Sequence, residues 1–247
     1  MRVLLGSGGF RTPERIAKLQ AHLRAHLGAV EQILFIPYAL HDHDKYVQTM
    51  LERGINAGYD LLGIHRCADP RKAVEAAQAI FIGGGNTFRL LHALYQNDLL
   101  DVIRDRVLGG VPYVGVSAGS NVACPTIMTT NDMPIVQPPS FNALGLVPFQ
   151  INAHYYSGMN WVKTPLTPDP SPAEGRGEAG FVEHFGETRD ERLREFHEMN
   201  DTPVIGLWEA GVLLCDGVNV MLQDAPARLF RKGMDAIDFT PGVQISF

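Results

Sequence analysis

The chain has 247 residues, of which 45% are hydrophobic and 19% charged, with a formal net charge of −6. That mix is one for burying a substantial core, and the length suits one large α/β domain. Charges of both signs are scattered without a basic block, which argues against nucleic acid or an anionic membrane surface as partner.

No stretch approaches the roughly 20 consecutive apolar residues of a membrane span. The apolar run after Met1-Arg2 is too short for a signal-peptide core and is one for a first β-strand. The three cysteines, Cys67, Cys124 and Cys215, have no metal-type spacing, and an odd count argues against a disulfide framework. A cytoplasmic location is therefore expected.

Strands are predicted over 2–5, 32–36, 59–64, 79–82 and 112–116. Helices are predicted between them over 13–27, 45–57, 70–77, 87–94 and 99–108. The helix from Pro13 has Thr12 as N-cap, proline at its first position, and Ile16, Leu19, Leu23 and Leu27 near one face. Such βα alternation predicts a parallel sheet with helices on both faces, and ligands then collect at the carboxyl ends of the strands. Further on, residues 212–214 and 218–222 flank Asp216-Gly217, a hairpin signature. A strand near 227–231 follows, and these strands are expected to extend or cap the edge of the main sheet. The whole is read as a single domain. Residues 164–180, dense in Pro and Gly with almost no apolar side chains, are expected to be a mobile surface insertion, idle or acting as a lid.

Two motifs stand at strand ends. Gly115-Val116-Ser117-Ala118-Gly119 is a G-x-S-x-G elbow in the strand–turn–helix context that holds a serine hydroxyl clear of a sheet. The amide of Ala118 then points toward a developing oxyanion. Gly83-Gly84-Gly85-Asn86-Thr87-Phe88 lacks the Lys-Ser/Thr pair of a P-loop and the spacing of a dinucleotide-binding fingerprint. Its better reading is a second oxyanion donor, the amide of Gly85.

A serine nucleophile needs a base, and the base an orienting acid. With nine histidines, composition cannot choose between them. His154 and Glu209 each follow a short apolar run and would lie at strand ends. A histidine satisfying a core hydrogen bond and a glutamate facing solvent remain alternatives. Two other features read as decoys. His41-Asp42-His43-Asp44 has adjacent spacing without further ligands and opens a helix, where aspartates suit the dipole. Cys124 sits near the elbow in a small-apolar setting typical of packing cysteines.

Residues 80–136 closely resemble the peptidase E family of aspartyl dipeptidases. The carrying stretches are the two motifs above and Ala123-Cys124-Pro125-Thr126-Ile127-Met128-Thr129-Thr130-Asn131-Asp132-Met133-Pro134-Ile135-Val136. The likeness continues through Gln150-Ile151-Asn152-Ala153-His154, Gly186-Glu187-Thr188-Arg189 and Val204-Ile205-Gly206-Leu207. It implies a three-layer α/β/α sandwich related to class I glutamine amidotransferase domains, without metal or organic cofactor.

The resemblance also implies Ser117 as nucleophile, His154 as base and Glu209 as third member, with Gly85 and Ala118 as oxyanion donors. The implied substrates are small peptides with an N-terminal aspartate, whose carboxylate a forked guanidinium would suit; Arg189 is the candidate, with a surface helix-start arginine as its alternative. Asn86 is a further substrate-binding candidate. Asp132 could hold the substrate α-amino group, rival Glu209 as the acid, or serve as a turn former. A homodimer is left open. Two other readings are a cyanophycinase-like peptidase of the same clan and a catalytically silent binding module on this scaffold.

Overall fold

The computed structural model describes residues 1–157, 187–217 and 219–247. The insertion expected at 164–180 lies outside the described residues. Five strands run parallel: β1 (Arg2–Gly6), β2 (Gln32–Ile36), β3 (Asp60–Gly63), β4 (Ile80–Ile82) and β5 (Tyr113–Val116). Their spatial order is β1-β5-β4-β2-β3. Along each strand, successive side chains point to opposite faces. Leu4, Ile33 and Phe35 therefore pack with Leu19 and Leu23 of α1 (Pro13–Leu27) and with Val47 and Met50 of α2 (His43–Glu52). Val3, Leu5, Leu34 and Ile36 pack on the other face with α3 (Pro70–Ala76), α4 (Thr87–Gln96), α5 (Leu100–Leu108) and α6 (Ala118–Ala123). The result is the three-layer α/β/α arrangement expected from the alternation.

Helix starts follow capping chemistry. Thr12, Asp42, Asp69 and Asn86 accept from backbone amides three residues on. Only α2 differs appreciably from its predicted range of 45–57. Asp42 starts it earlier, and it ends at Glu52, where Gly54 takes the left-handed conformation (φ 63°) and breaks the ladder. The aspartates of the His/Asp cluster are thus occupied structurally: Asp42 caps α2, and Asp44 pairs with Arg66 at 2.6 Å.

The hairpin of β8 (Val212–Asp216) and β9 (Asn219–Gln223) extends the main sheet antiparallel beside β1, as expected, with β12 (Gln244–Ile245) beyond it. The strand predicted at 227–231 does not join that edge. Asp224 adopts a left-handed turn (φ 67°) that redirects the chain, and β10 (Ala227–Phe230) pairs with β7 (Val204–Trp208). These two belong to a second, four-stranded sheet ordered β11-β10-β7-β6, with β6 spanning Gln150–Tyr155 and β11 Ile237–Phe239. The parallel pairing of β6 and β7 breaks register between Ala153 and Tyr155, so His154 sits on a bulge with φ 54°. A last helix, α7 (Arg189–Met199), starts at a capping box between Thr188 and Glu191. No helix among the described residues is long and apolar enough to cross a membrane.

Candidate active site

The sharp turn after β5 puts Ser117 at φ 54°, ψ −109°, a conformation costing a non-glycine residue on the order of 1–3 kcal/mol. Surrounding bonds hold it there. The Ser117 amide donates to the Gly6 carbonyl at 2.8 Å, and the Ser120 hydroxyl reaches the Gly6 and Gly115 carbonyls at 2.8 and 2.9 Å. Gly115 and Gly119 let strand and helix touch: a Cβ on Gly115 would lie 2.5 Å from the Gly119 carbonyl oxygen, and one on Gly119 2.0 Å from that of Ile82. The serine hydroxyl is thereby presented at the carboxyl end of the main sheet.

His154 and Glu209 come from the second sheet. The Ser117 Oγ lies 2.8 Å from His154 Nε2, and His154 Nδ1 lies 2.6 Å from Glu209 Oε1. The bulge explains the histidine's position, since positive φ at a strand end swings its ring out of the pleat toward Ser117. A bulge also leaves a backbone amide without its ladder partner. Here the His154 amide donates to the Ser7 hydroxyl at 2.8 Å, and that hydroxyl donates to the Leu207 carbonyl at 2.8 Å. Ser7 is fully buried and joins the end of β1 to both β6 and β7.

The next two residues form a close-fitting bed. A Cβ on Gly8 would approach His154 Cε1 to 2.5 Å, and one on Gly9 would fall 1.6 Å from Glu209 Oε2. Both glycines have positive φ. Arg15 donates to the Gly9 carbonyl at 3.1 Å and stands 3.9 Å from Glu209 Oε2. Sequence reasoning missed Ser7, Gly8 and Gly9. The signal available was a Ser-Gly-Gly run at the end of the first strand, where an α/β sheet places its functional loops.

Gly85 and Ala118 lie on the two loops around the hydroxyl. Gly85 has φ 137° and packs so tightly that a Cβ would lie 2.6 Å from the Ala39 carbonyl oxygen, so no other residue fits. Gly84 sits against Ser117, with its Cβ position 3.1 Å from that of the serine. The glycine loop is also braced from α2. A Cβ on Gly83 would lie 2.4 Å from the Tyr46 hydroxyl oxygen, and burial pushes the pKa of that phenol up to about 12. Neither the Gly85 nor the Ala118 amide has an acceptor among the described residues.

The structure places Asn86 and Asp132 in a bracing role. The Asn86 side chain caps α4 through the Arg89 amide at 3.0 Å and donates to the Met133 carbonyl at 2.8 Å. One Asp132 oxygen accepts from the Thr87 amide at 2.8 Å, the Thr87 hydroxyl at 2.6 Å and the Thr130 hydroxyl at 3.1 Å. Asp132 thus holds the loop after α6 to the start of α4, whereas the carboxylate on His154 is that of Glu209. Arg189 is half-buried, its guanidinium 5.3 Å from the Tyr156 ring centroid. Burial lowers its pKa first of all, while the charge of Asp132 acts in the opposite direction. Its Nε finds no acceptor among the described residues. Cys124 is buried, and burial pushes its thiol well up, away from any nucleophilic role.

An α/β/α sandwich with a serine on its elbow, a histidine on the hydroxyl and a glutamate on the histidine defines a class of hydrolases. Comparison with known proteins narrows it. The model of peptidase family S51 matches residues 3–223. A peptidase E of Streptomyces coelicolor is 46% identical over 221 residues, covering 89% of this chain and 83% of that protein. A Drosophila melanogaster protein described as a probable alpha-aspartyl dipeptidase is 46% identical over 220 residues, covering 88% and 83%. Among solved structures, a peptidase from an acI-B1 Actinobacterium superposes with a TM-score of 0.67 at 18% identity, over 100% of this chain and 96% of that one. At that identity the likeness speaks to the fold alone. The chain belongs to peptidase family S51 and is a serine peptidase.

Proposed function

We propose that this chain is an α-aspartyl dipeptidase acting in the cytoplasm on peptides with an N-terminal aspartate. The observation that carries the chemistry is the run of hydrogen bonds from Ser117 through His154 to Glu209. In this reading His154 takes the hydroxyl proton as Ser117 Oγ attacks the carbonyl carbon after the aspartate. Glu209 fixes the imidazole tautomer and stabilises the imidazolium. The oxyanion settles between the Gly85 and Ala118 amides, each donor being worth about 3–4 kcal/mol in such sites. The tetrahedral intermediate then collapses. The C–N bond breaks, His154 gives its proton to the leaving amine, and an aspartyl ester remains on Ser117. Water, deprotonated by His154, cleaves that ester and restores the serine.

Aspartate selection is assigned to Arg189. A half-buried guanidinium whose Nε has no acceptor among the described residues suits a carboxylate, and loss of such a charged hydrogen bond strongly penalises a neutral isostere. The alpha-aspartyl specificity in the name of the Drosophila relative points the same way. Asp132, already accepting three hydrogen bonds, contributes to substrate binding as a negative neighbour rather than as the triad acid.

Hydrolysis of Asp-Leu, Asn-Leu, Glu-Leu and β-Asp-Leu by the wild type and by Ser117→Ala tests the reading. Asp-Leu should be cleaved fastest, and the variant should cleave none. Cleavage only of a different member would remove Arg189 as selector. Inactivity on all four, by folded wild-type protein, would favour a silent binding module.

A further inference from the structure

Beside Ser117, on the α1/α2 face of the sheet, lies a cavity of about 230 Å³. It falls below the roughly 300 Å³ at which pockets begin to hold drug-sized ligands, so it has room for little more than one amino-acid residue. One end is the reaction centre itself, with Ser117, His154 and Gly85 in its wall. Apolar lining comes from Phe10, Met50 and Ile55, and two arginines, Arg11 and Arg53, also line it. No Asp or Glu among the described residues lines it, in a chain whose net charge is −6. Arg53 spends one guanidinium nitrogen on the Phe10 carbonyl, and neither it nor Arg11 is within ion-pair distance of a carboxylate among the described residues.

The cavity lies on the opposite flank from Arg189. That arginine stands by Tyr156 and feels the charge of Asp132, which is bound to the start of α4, a helix of the other face. The two flanks therefore offer two different sets of contacts to a substrate stretched across Ser117. The leaving amine takes its proton from His154, whose ring rests on Gly8, and the Gly8–Arg11 loop forms one wall of the cavity.

We infer that this cavity is the leaving-residue subsite: its apolar wall takes the second side chain of the dipeptide, and Arg53 and Arg11 take the free α-carboxylate. The inference rests on the peptidase reading above and deepens it, because recognition of a carboxylate one residue beyond the scissile bond is what confines an enzyme to dipeptides. Longer peptides carry an amide at that position and leave both guanidiniums without an anion. Apolar second residues should be preferred over acidic or small ones.

The test compares Asp-Leu with Asp-leucinamide in the wild type, Arg53→Gln and Arg11→Gln, with aspartyl p-nitroanilide as a reporter that has no carboxylate. The wild type should favour the acid over the amide about 10- to 100-fold in kcat/KM, chiefly through KM. Each variant should shrink that ratio, and the double variant should bring it near unity. Equal use of acid and amide by a wild type that cleaves the anilide would overturn the subsite and leave the dipeptidase reading standing. So would variants that lose acid and amide alike, the mark of Arg53 merely holding the Phe10 loop; Arg11, whose side chain makes no hydrogen bond among the described residues, keeps the two explanations apart. A folded wild type that cleaves none of the three would remove the peptidase reading and the subsite with it.

Discussion

The two halves of the active site are built on different principles. The nucleophile half is local: strand, elbow and helix lie within residues 113–123, and Gly115, Ser117 and Gly119 carry its geometry. The acid–base half is assembled across the chain. His154 depends on a hydroxyl 147 residues earlier, Glu209 is 55 residues from His154, and they come from one strand of a second sheet and from the turn after another. A local device can be encoded in a five-residue motif. A distributed one depends on backbone irregularities, here a positive-φ bulge and a pair of glycines, that hold side chains from separate elements in one line.

Substitutions can separate the halves, and the largest effect belongs to the nucleophile. Ser117→Ala should lower kcat by at least about 10⁴-fold with stability little changed, read by steady-state hydrolysis beside thermal unfolding. The acid–base half should respond to changes that remove no functional group. Gly9→Ala should displace the Glu209 carboxylate and cost about 10²- to 10⁴-fold in kcat, as Glu209→Gln should. If Gly9→Ala turns over normally, the Glu209 position is more forgiving than the contact allows.

Ser7→Ala acts one step further out. It leaves the His154 amide and the Leu207 carbonyl buried without their partner, and about 1–3 kcal/mol of stability should be lost in denaturant unfolding. A drop in kcat larger than any change in KM should accompany it, with partial recovery in Ser7→Thr.

An effect on stability alone, not on turnover, lies outside both halves. His26 donates to the Tyr113 carbonyl at the root of β5, and burial pushes its imidazole down to about 4. The folded state therefore disfavours the charged form, while the unfolded chain takes up the proton near pH 6.5. Stability from this site is complete above about pH 6.5 and erodes as pH falls toward 4, by at most about 3 kcal/mol. His26→Gln should flatten that part of the unfolding profile.

The same division explains what could be read from the sequence. The parallel sheet, the Thr12 cap, the helix starts at Pro70 and Thr87, and the elbow around Ser117 all follow from periodicity, capping and one short motif. His154 and Glu209 were only two strand-end candidates until a family resemblance singled them out, because nothing local distinguishes a histidine on a bulge from one in a core. The second sheet was not legible. Strand periodicity reports which residues alternate, not which neighbour a strand chooses, and β10 left the main sheet at one left-handed residue, Asp224. Ser7 is marked in the sequence only by its place in the Ser-Gly-Gly run after the first strand, since a buried hydroxyl that bridges two strands looks like any serine after a strand.

The central claim is that the second sheet activates the serine of the first. The most direct measurement is the rate at which a fluorophosphonate modifies Ser117, followed by intact-protein mass and peptide mapping, in the wild type, Glu209→Gln and Gly9→Ala. Single labelling at Ser117 is expected in the wild type, slowed by about 10²-fold or more in both variants. Labelling at an unchanged rate in the variants, or at a residue other than Ser117, would contradict it.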